Sequence, residues 1–227
     1  MRSMKSIALA LALVALALPA ASSLAQQTAE SQAAMTPRAA LQRLQAGNAR
    51  FVANKSEPND WTAKVVATAS GQYPFAAVLA CMDSRAPIEI VFDQGIGDVF
   101  GVRVAGNVVN DDELGSLEYA AKVGIKLIVV LGHTRCGAVK GALDGVKLGN
   151  LSGLLDKIQP AIDAAHCTES SSDSCVDSVA EANVAHSMAE IRARSPYLAH
   201  YLDEGKIALE GGVYDVATGK VRWLEHR

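Results

Sequence analysis

Aromatic residues make up only 5% of this 227-residue chain, so its core has to be built from aliphatic side chains. Long apolar runs are missing too. The most continuous one, Ile7 to Leu18, falls short of the roughly 20 residues that a membrane-spanning helix needs. There is no cluster of lysines and arginines, and the formal net charge is −3, so the electrostatic footprint of a nucleic-acid binder is absent. Neither G-x-G-x-x-G nor the phosphate-loop pattern ending in Gly-Lys-Ser/Thr occurs, which leaves a nucleotide site without support. No internal repeat is visible. Cysteine is scarce: Cys81, Cys136, Cys167 and Cys175 are the full set, and no two of them stand at the C-x-x-C spacing of redox-active pairs.

The N-terminus reads as a separate object. Arg2 and Lys5 precede the apolar run, and Ser23-Leu24-Ala25 is a small-x-small cleavage pattern. Residues 1–25 are therefore expected to be a secretory signal peptide, which places the mature protein in the periplasm, free of the membrane after cleavage. No cysteine follows the run to carry a lipid. Residues 26–227 then form one α/β domain, long enough to bury a real core. Residues 26–36 are polar and expected to fray. Thr36-Pro37 opens a helix with a good cap and a proline at its first position, and Leu41, Leu44 and Phe51 share one face of it.

Beyond that helix, strands are expected at 75–81, 99–104, 126–132 and 207–215. Helices are expected at 114–123, 137–145, 151–165, 176–193 and 196–204, and a hairpin over Val213–Val221. The alternation implies an α/β fold with a mostly parallel central β-sheet flanked by helices, preceded by an N-terminal helical arm.

Two short clusters carry the chemistry. Cys81-Met82-Asp83-Ser84-Arg85 follows the apolar run Phe75–Ala80, and His133-Thr134-Arg135-Cys136-Gly137 follows Leu127–Leu131. Ligands at the ends of neighbouring parallel strands converge where α/β sheets keep their sites. Two thiols, one imidazole and one carboxylate (Cys81, Cys136, His133 and Asp83) suit tetrahedral Zn²⁺. Arg85, two residues after Asp83, lies on the same side of an extended segment and can pair with that carboxylate in bidentate fashion. The remaining cysteines, Cys167 and Cys175, flank a serine-rich stretch, and in an exported chain they are expected to bond to each other. The competing pairing, Cys81 with Cys136 and no metal, leaves His133 and Asp83 without a purpose.

These clusters match C-x-D-x-R and H-x-x-C, and on them the chain resembles the β-class carbonic anhydrases. The likeness extends through Gly47-Asn48-Ala49-Arg50-Phe51, the segment Phe92–Asn107 and Leu114–Ala120, and runs from about Thr36 to Trp223. The resemblance implies a lyase, carbonate dehydratase, with one Zn²⁺ per chain on Cys81, His133 and Cys136. Zinc-bound hydroxide would hydrate CO₂ reversibly to bicarbonate and a proton. Asp83 is either a fourth ligand that closes the site or, paired with Arg85, a catalytic neighbour that leaves it open. The resemblance also implies a homodimer or homotetramer, with the helix from Thr36 packed on a partner. The family's substrate-side glutamine aligns best with Gly95, with Gln94 one place earlier, and Arg103 is followed by Val104 where many members have asparagine. Two other readings stay open: a related zinc hydrolase of another small cumulated substrate such as carbon disulfide, and a non-catalytic zinc protein with Asp83 on the metal.

Overall fold

Apolar runs of five to seven residues without alternation make strands buried on both faces. The structure, a computed structural model, describes residues 26–167 and 172–225, so the 1–25 segment lies outside the described residues. Five strands form one sheet: β1 (Ala76–Ala80), β2 (Val99–Arg103), β3 (Leu127–His133), β4 (Ala208–Tyr214) and β5 (Val221–Trp223). Their order is β2-β1-β3-β4-β5; the first four are parallel, and β5 pairs antiparallel with β4. Ten α-helices accompany them among the described residues: α1 (Ala29–Ala34), α2 (Pro37–Val52), α3 (Trp61–Thr68), α4 (Ile88–Val91), α5 (Asp111–Val123), α6 (Gly137–Leu143), α7 (Gly149–Leu155), α8 (Gln159–Ala165), α9 (Asp173–Arg194) and α10 (Pro196–Asp203). The α/β architecture with a mostly parallel sheet is as the sequence pattern implies.

Alternate strand residues feed two separate cores. Ala77 and Leu79 of β1 and Ile128 and Val130 of β3 pack with Leu117 and Ala120 of α5, Val184 and Ile191 of α9 and Leu198 of α10. Ala76, Val78, Leu127, Val129 and Leu131 face the other way, onto Ala40 and Leu44 of α2, Ile88 and Val91 of α4, and Phe92. Both central strands are wholly buried, which is why their sequences do not alternate.

Helix α2 is held by its own chain, through the segment singled out in the sequence. Gly47 lies against the Phe92 carbonyl. Asn48 donates to Val91 O at 3.0 Å and to Gly219 O at 2.9 Å, and accepts from the Val221 N–H at 2.9 Å. Arg50 pairs with the buried Asp93 at 2.6 Å. A Cβ at position 47 would overlap the Phe92 oxygen and sit 2.8 Å from its carbonyl carbon, with backbone on the far side and little room to yield. Gly47→Ala is therefore expected to lower unfolding stability by about 1–3 kcal/mol, the usual cost of overpacking, read from urea denaturation. An unchanged midpoint would show that α2 docks elsewhere.

Three expectations need correction. Residues 26–36 are not frayed throughout: Thr28 and Ser31 make a reciprocal capping box, and the buried Gln32 donates to Pro74 O at 2.7 Å, so α1 forms and docks. The single helix over 151–165 is instead α7, a 3₁₀ turn at Asp156–Ile158 and α8. Pro160 has no N–H for the Asp156 carbonyl, and its ring crowds that carbonyl, which breaks a continuous helix. Helices α5 and α9 begin three residues earlier than the apolar pattern suggests, because Asn110 and Ser172 cap them and their first turns are acidic.

Candidate metal centre

The parallel register of β1 and β3 aligns Ala80 with Leu131, so both strands run out at the same edge of the sheet. Cys81 is the next residue after β1, His133 is the last residue of β3, and Cys136 is the N-cap of α6. All three are buried, and one ligand atom from each lies within 4.8 Å of the others. Both thiols are free. Cys167 and Cys175 are bonded to each other, as the sequence reading has it.

The donor set fits zinc. His133 Nδ1 meets Thr134 O at 2.9 Å, which fixes it as the protonated nitrogen and leaves Nε2 as a lone-pair donor. Nε2 is buried and has no hydrogen-bond partner. A buried imidazole nitrogen without a partner, facing two buried thiols, is an unmet demand that a cation satisfies.

The two thiols shift each other's titration in opposite directions. The Cys136 thiol, hydrogen-bonded to it, pushes the Cys81 pKa down to about 4 against the effect of burial, with help from His133 and the Gly106 N–H. Cys136 is pushed up, by that same bond to Cys81 and then by burial. Burial, the largest influence, would lower His133, but the Cys81 thiolate, the Thr134 carbonyl and the Asp83 carboxylate together outweigh it and raise it.

Asp83 is brought next to these three but stands apart from them. Arg85 takes both of its oxygens: Nε donates to Oδ1 at 2.9 Å and Nη2 to Oδ2 at 2.8 Å, and the Arg85 backbone N–H adds a bond to Oδ1 at 2.9 Å. These bonds hold the Asp83 carboxyl well below the usual carboxylate range. Its Oδ2 lies 3.8 Å from His133 Nε2. Arg85 Nη2 reaches on to Arg135 O at 3.3 Å and ties the two motifs together.

Sequence reasoning missed three supports. Arg103 grips the first motif by its backbone, donating from Nε to Cys81 O at 3.1 Å and from Nη2 to Asp83 O at 2.6 Å. The Gly106 N–H donates to Cys81 Sγ at 3.3 Å, from a backbone at φ 70° that glycine adopts freely. Asp177 of α9 accepts the Arg135 N–H at 2.7 Å. Nothing in the local sequence signals that last contact. Gln94 is fully buried and bonded to Arg43 and to Phe92 O.

Comparison with known proteins agrees with this geometry. A family model described as carbonic anhydrase matches residues 76–221. A carbonic anhydrase of Mycolicibacterium smegmatis is 39% identical over 197 residues, covering 84% of this chain and 94% of that protein. The crystal structure of the β-carbonic anhydrase CafA of Aspergillus fumigatus superposes with a TM-score of 0.67 at 29% identity, over 78% of this chain and 89% of that one. A tetrameric β-carbonic anhydrase of Sordaria macrospora superposes with a TM-score of 0.63 at 26% identity, over 79% and 93%.

Proposed function

This chain belongs to the carbonic anhydrase family, in its β class, and from that premise we propose that it converts CO₂ and water reversibly to bicarbonate and a proton at the Cys81–His133–Cys136 centre. Its cofactor is zinc. The observation that carries the reading is the convergence of three buried ligand atoms within 4.8 Å while the neighbouring carboxylate is engaged elsewhere.

Cys81 and Cys136 supply thiolates, and His133 supplies Nε2, with its ring oriented by Thr134 O. When bound, zinc supplies Lewis acidity that brings the pKa of a water from about 15.7 towards 7. Three protein ligands leave one position for that water; a fourth would close the site. Asp83 decides between the two, and Arg85 holds it aside and ionised. From there its carboxylate would accept a hydrogen bond from the water-derived oxygen and orient its lone pair towards the carbon of CO₂. The new C–O bond would form as one C=O π bond opens onto its own oxygen, giving bicarbonate, and the proton given up by the water would go to solvent. Engagement of Asp83 by Arg85 favours this over a closed, non-catalytic zinc site. Zinc-loaded protein should hydrate CO₂ in a stopped-flow indicator assay and lose the activity when stripped by a chelator. A stoichiometric zinc protein without CO₂ hydration would refute the reading.

Self-assembly belongs to the same proposal, as a homodimer or a homotetramer. Support comes from exposed apolar side chains on α3, Trp61, Val65 and Val66, and from Tyr119 beside the edge strand β2. Light scattering that finds only monomer would remove it. Export to the periplasm of a single domain, residues 26–227, is supported by the features of residues 1–25 and by the Cys167–Cys175 disulfide, which suits an oxidising compartment. A mature N-terminus other than Gln26 would contradict the cleavage site.

A further inference from the structure

Helix α9 contributes no ligand, yet it holds both turns on which the ligands depend. Asn183, 1% exposed, donates from Nδ2 to Gly106 O at 2.7 Å. One turn on, Ser187 Oγ donates to Asn107 O at 3.0 Å. Both acceptors belong to the 3₁₀ turn Ala105–Asn107, where Gly106 (φ 70°) and Asn107 (φ 42°) are left-handed. Asparagine enters that region more readily than other non-glycine residues, and the Ser187 bond fixes it there. That turn aims the Gly106 N–H at Cys81 Sγ. Nearer the start of α9, Asp177 fixes Arg135, itself left-handed at φ 53° and set between His133 and Cys136.

Asn183 carries a cost that packing does not explain. Its Oδ1 is buried without a partner, a penalty that an apolar side chain at this position would not carry. The amide is kept for what its Nδ2 does. We infer that Asn183, seconded by Ser187, is a positioning residue for the zinc centre: by anchoring the Gly106 and Asn107 carbonyls it keeps the Gly106 N–H on the Cys81 thiolate and so sets zinc affinity and the electron donation of that sulfur. This rests on Cys81 being a zinc ligand.

The test uses the full chain, zinc affinity by competition with a chromophoric chelator, and the thiolate-to-metal charge-transfer band of the Co²⁺-substituted protein. Asn183→Leu is expected to weaken zinc binding by about 10–100-fold, the usual effect of losing an outer partner of a metal ligand. The sulfur, without its donor, becomes more electron-rich, and the band should move to longer wavelength. Ser187→Ala, a milder change that decides the matter if Asn183→Leu does not fold, should move both readings the same way by less. Ile191→Ala, fully buried on the same helix but in the apolar core, should lower stability and leave both readings unchanged. Wild-type affinity and an unshifted band in folded Asn183→Leu or in Ser187→Ala, or an equal loss of affinity in Ile191→Ala, would overturn the inference. Cys81→Ser in the same assay separates the two levels. If it keeps wild-type zinc affinity, the ligand assignment itself fails. If it loses zinc while the Asn183 and Ser187 variants do not, only the bracing role fails.

Discussion

Cys136→Ser is expected to lose stoichiometric zinc and, with it, almost all CO₂ hydration. The substitution is nearly isosteric at a residue 1% exposed, so the fold should survive. A serine hydroxyl is neutral at any working pH and is a poor ligand for Zn²⁺ compared with a thiolate. Loss of one of only three ligands should cost more than the roughly 10–100-fold that an outer partner costs. The protonation state of the pair adds a pH dependence. Cys136 is raised by its neighbouring thiol and by burial, so zinc binding must displace its proton. Protons therefore compete with zinc, and wild-type affinity should fall as pH falls. Metal content after dialysis, by atomic absorption, and a stopped-flow rate on the same sample are the measurements. Stoichiometric, tightly held zinc in Cys136→Ser would refute the site.

Arg85→Ala is expected to keep its zinc and lose turnover by about 10–100-fold. Arg85 is half exposed, so its ion pair contributes only about 0–1 kcal/mol to folding, and the thermal midpoint should barely move. What changes is the freedom of Asp83. With no guanidinium on its oxygens, the carboxylate can compete for the open metal position. The sign of the pH effect follows from the depressed Asp83 pKa. A carboxyl held below its unfolded value of about 3.9 keeps its pairing at any higher pH and gives it up only as pH falls through the lower, folded value. Asp83 protonation therefore does not shape the profile near neutrality. The wild-type rate should rise through about pH 7–8 as the nucleophile forms. The deficit of Arg85→Ala should be widest on the acid side of that rise, where a free carboxylate meets least competition. Asp83→Asn should also lose activity, since an amide cannot accept and orient as a carboxylate does. Wild-type turnover of Arg85→Ala across this range would end the idea of a carboxylate held aside, though the three-ligand site would still stand.

The parts of this molecule that were legible in its sequence share a physical reason. Strands β1 and β3 are buried on both faces, so burial writes itself as continuous apolar runs. Asp83 and Arg85 are two apart on one extended segment, so their pairing is a local fact. Helix α3 shows the opposite. Its buried residue is Lys64, 8% exposed, while Trp61, Val65 and Val66 face outward, so its polarity pattern is inverted and no helix with an apolar inner face can be read there. Helix α1 is polar and depends on a cap and one buried glutamine, neither of which is a periodic signal. Of the site, the convergence of Cys81, His133 and Cys136 and the Asp83–Arg85 pair were legible. The hold of α9 was not, because Asp177 and Arg135 meet 42 residues apart in sequence, and Asn183 and Gly106 meet 77 apart.

The disulfide has a consequence for how the chain matures. If the chain is exported as proposed, its four thiols offer six possible single bonds, and only Cys167–Cys175 leaves both Cys81 and Cys136 free. The order of ring closure sorts them. Cys167 and Cys175 are separated by 8 positions. Cys81 and Cys136 are about 55 apart. Closing the longer loop costs roughly 1.7 kcal/mol more in chain entropy, so in the unfolded chain the local pair meets about 15–20 times more often. Spacing alone thus gives the structural bond a head start over the damaging one, and zinc held by Cys81 and Cys136 as thiolates would make that early partition permanent.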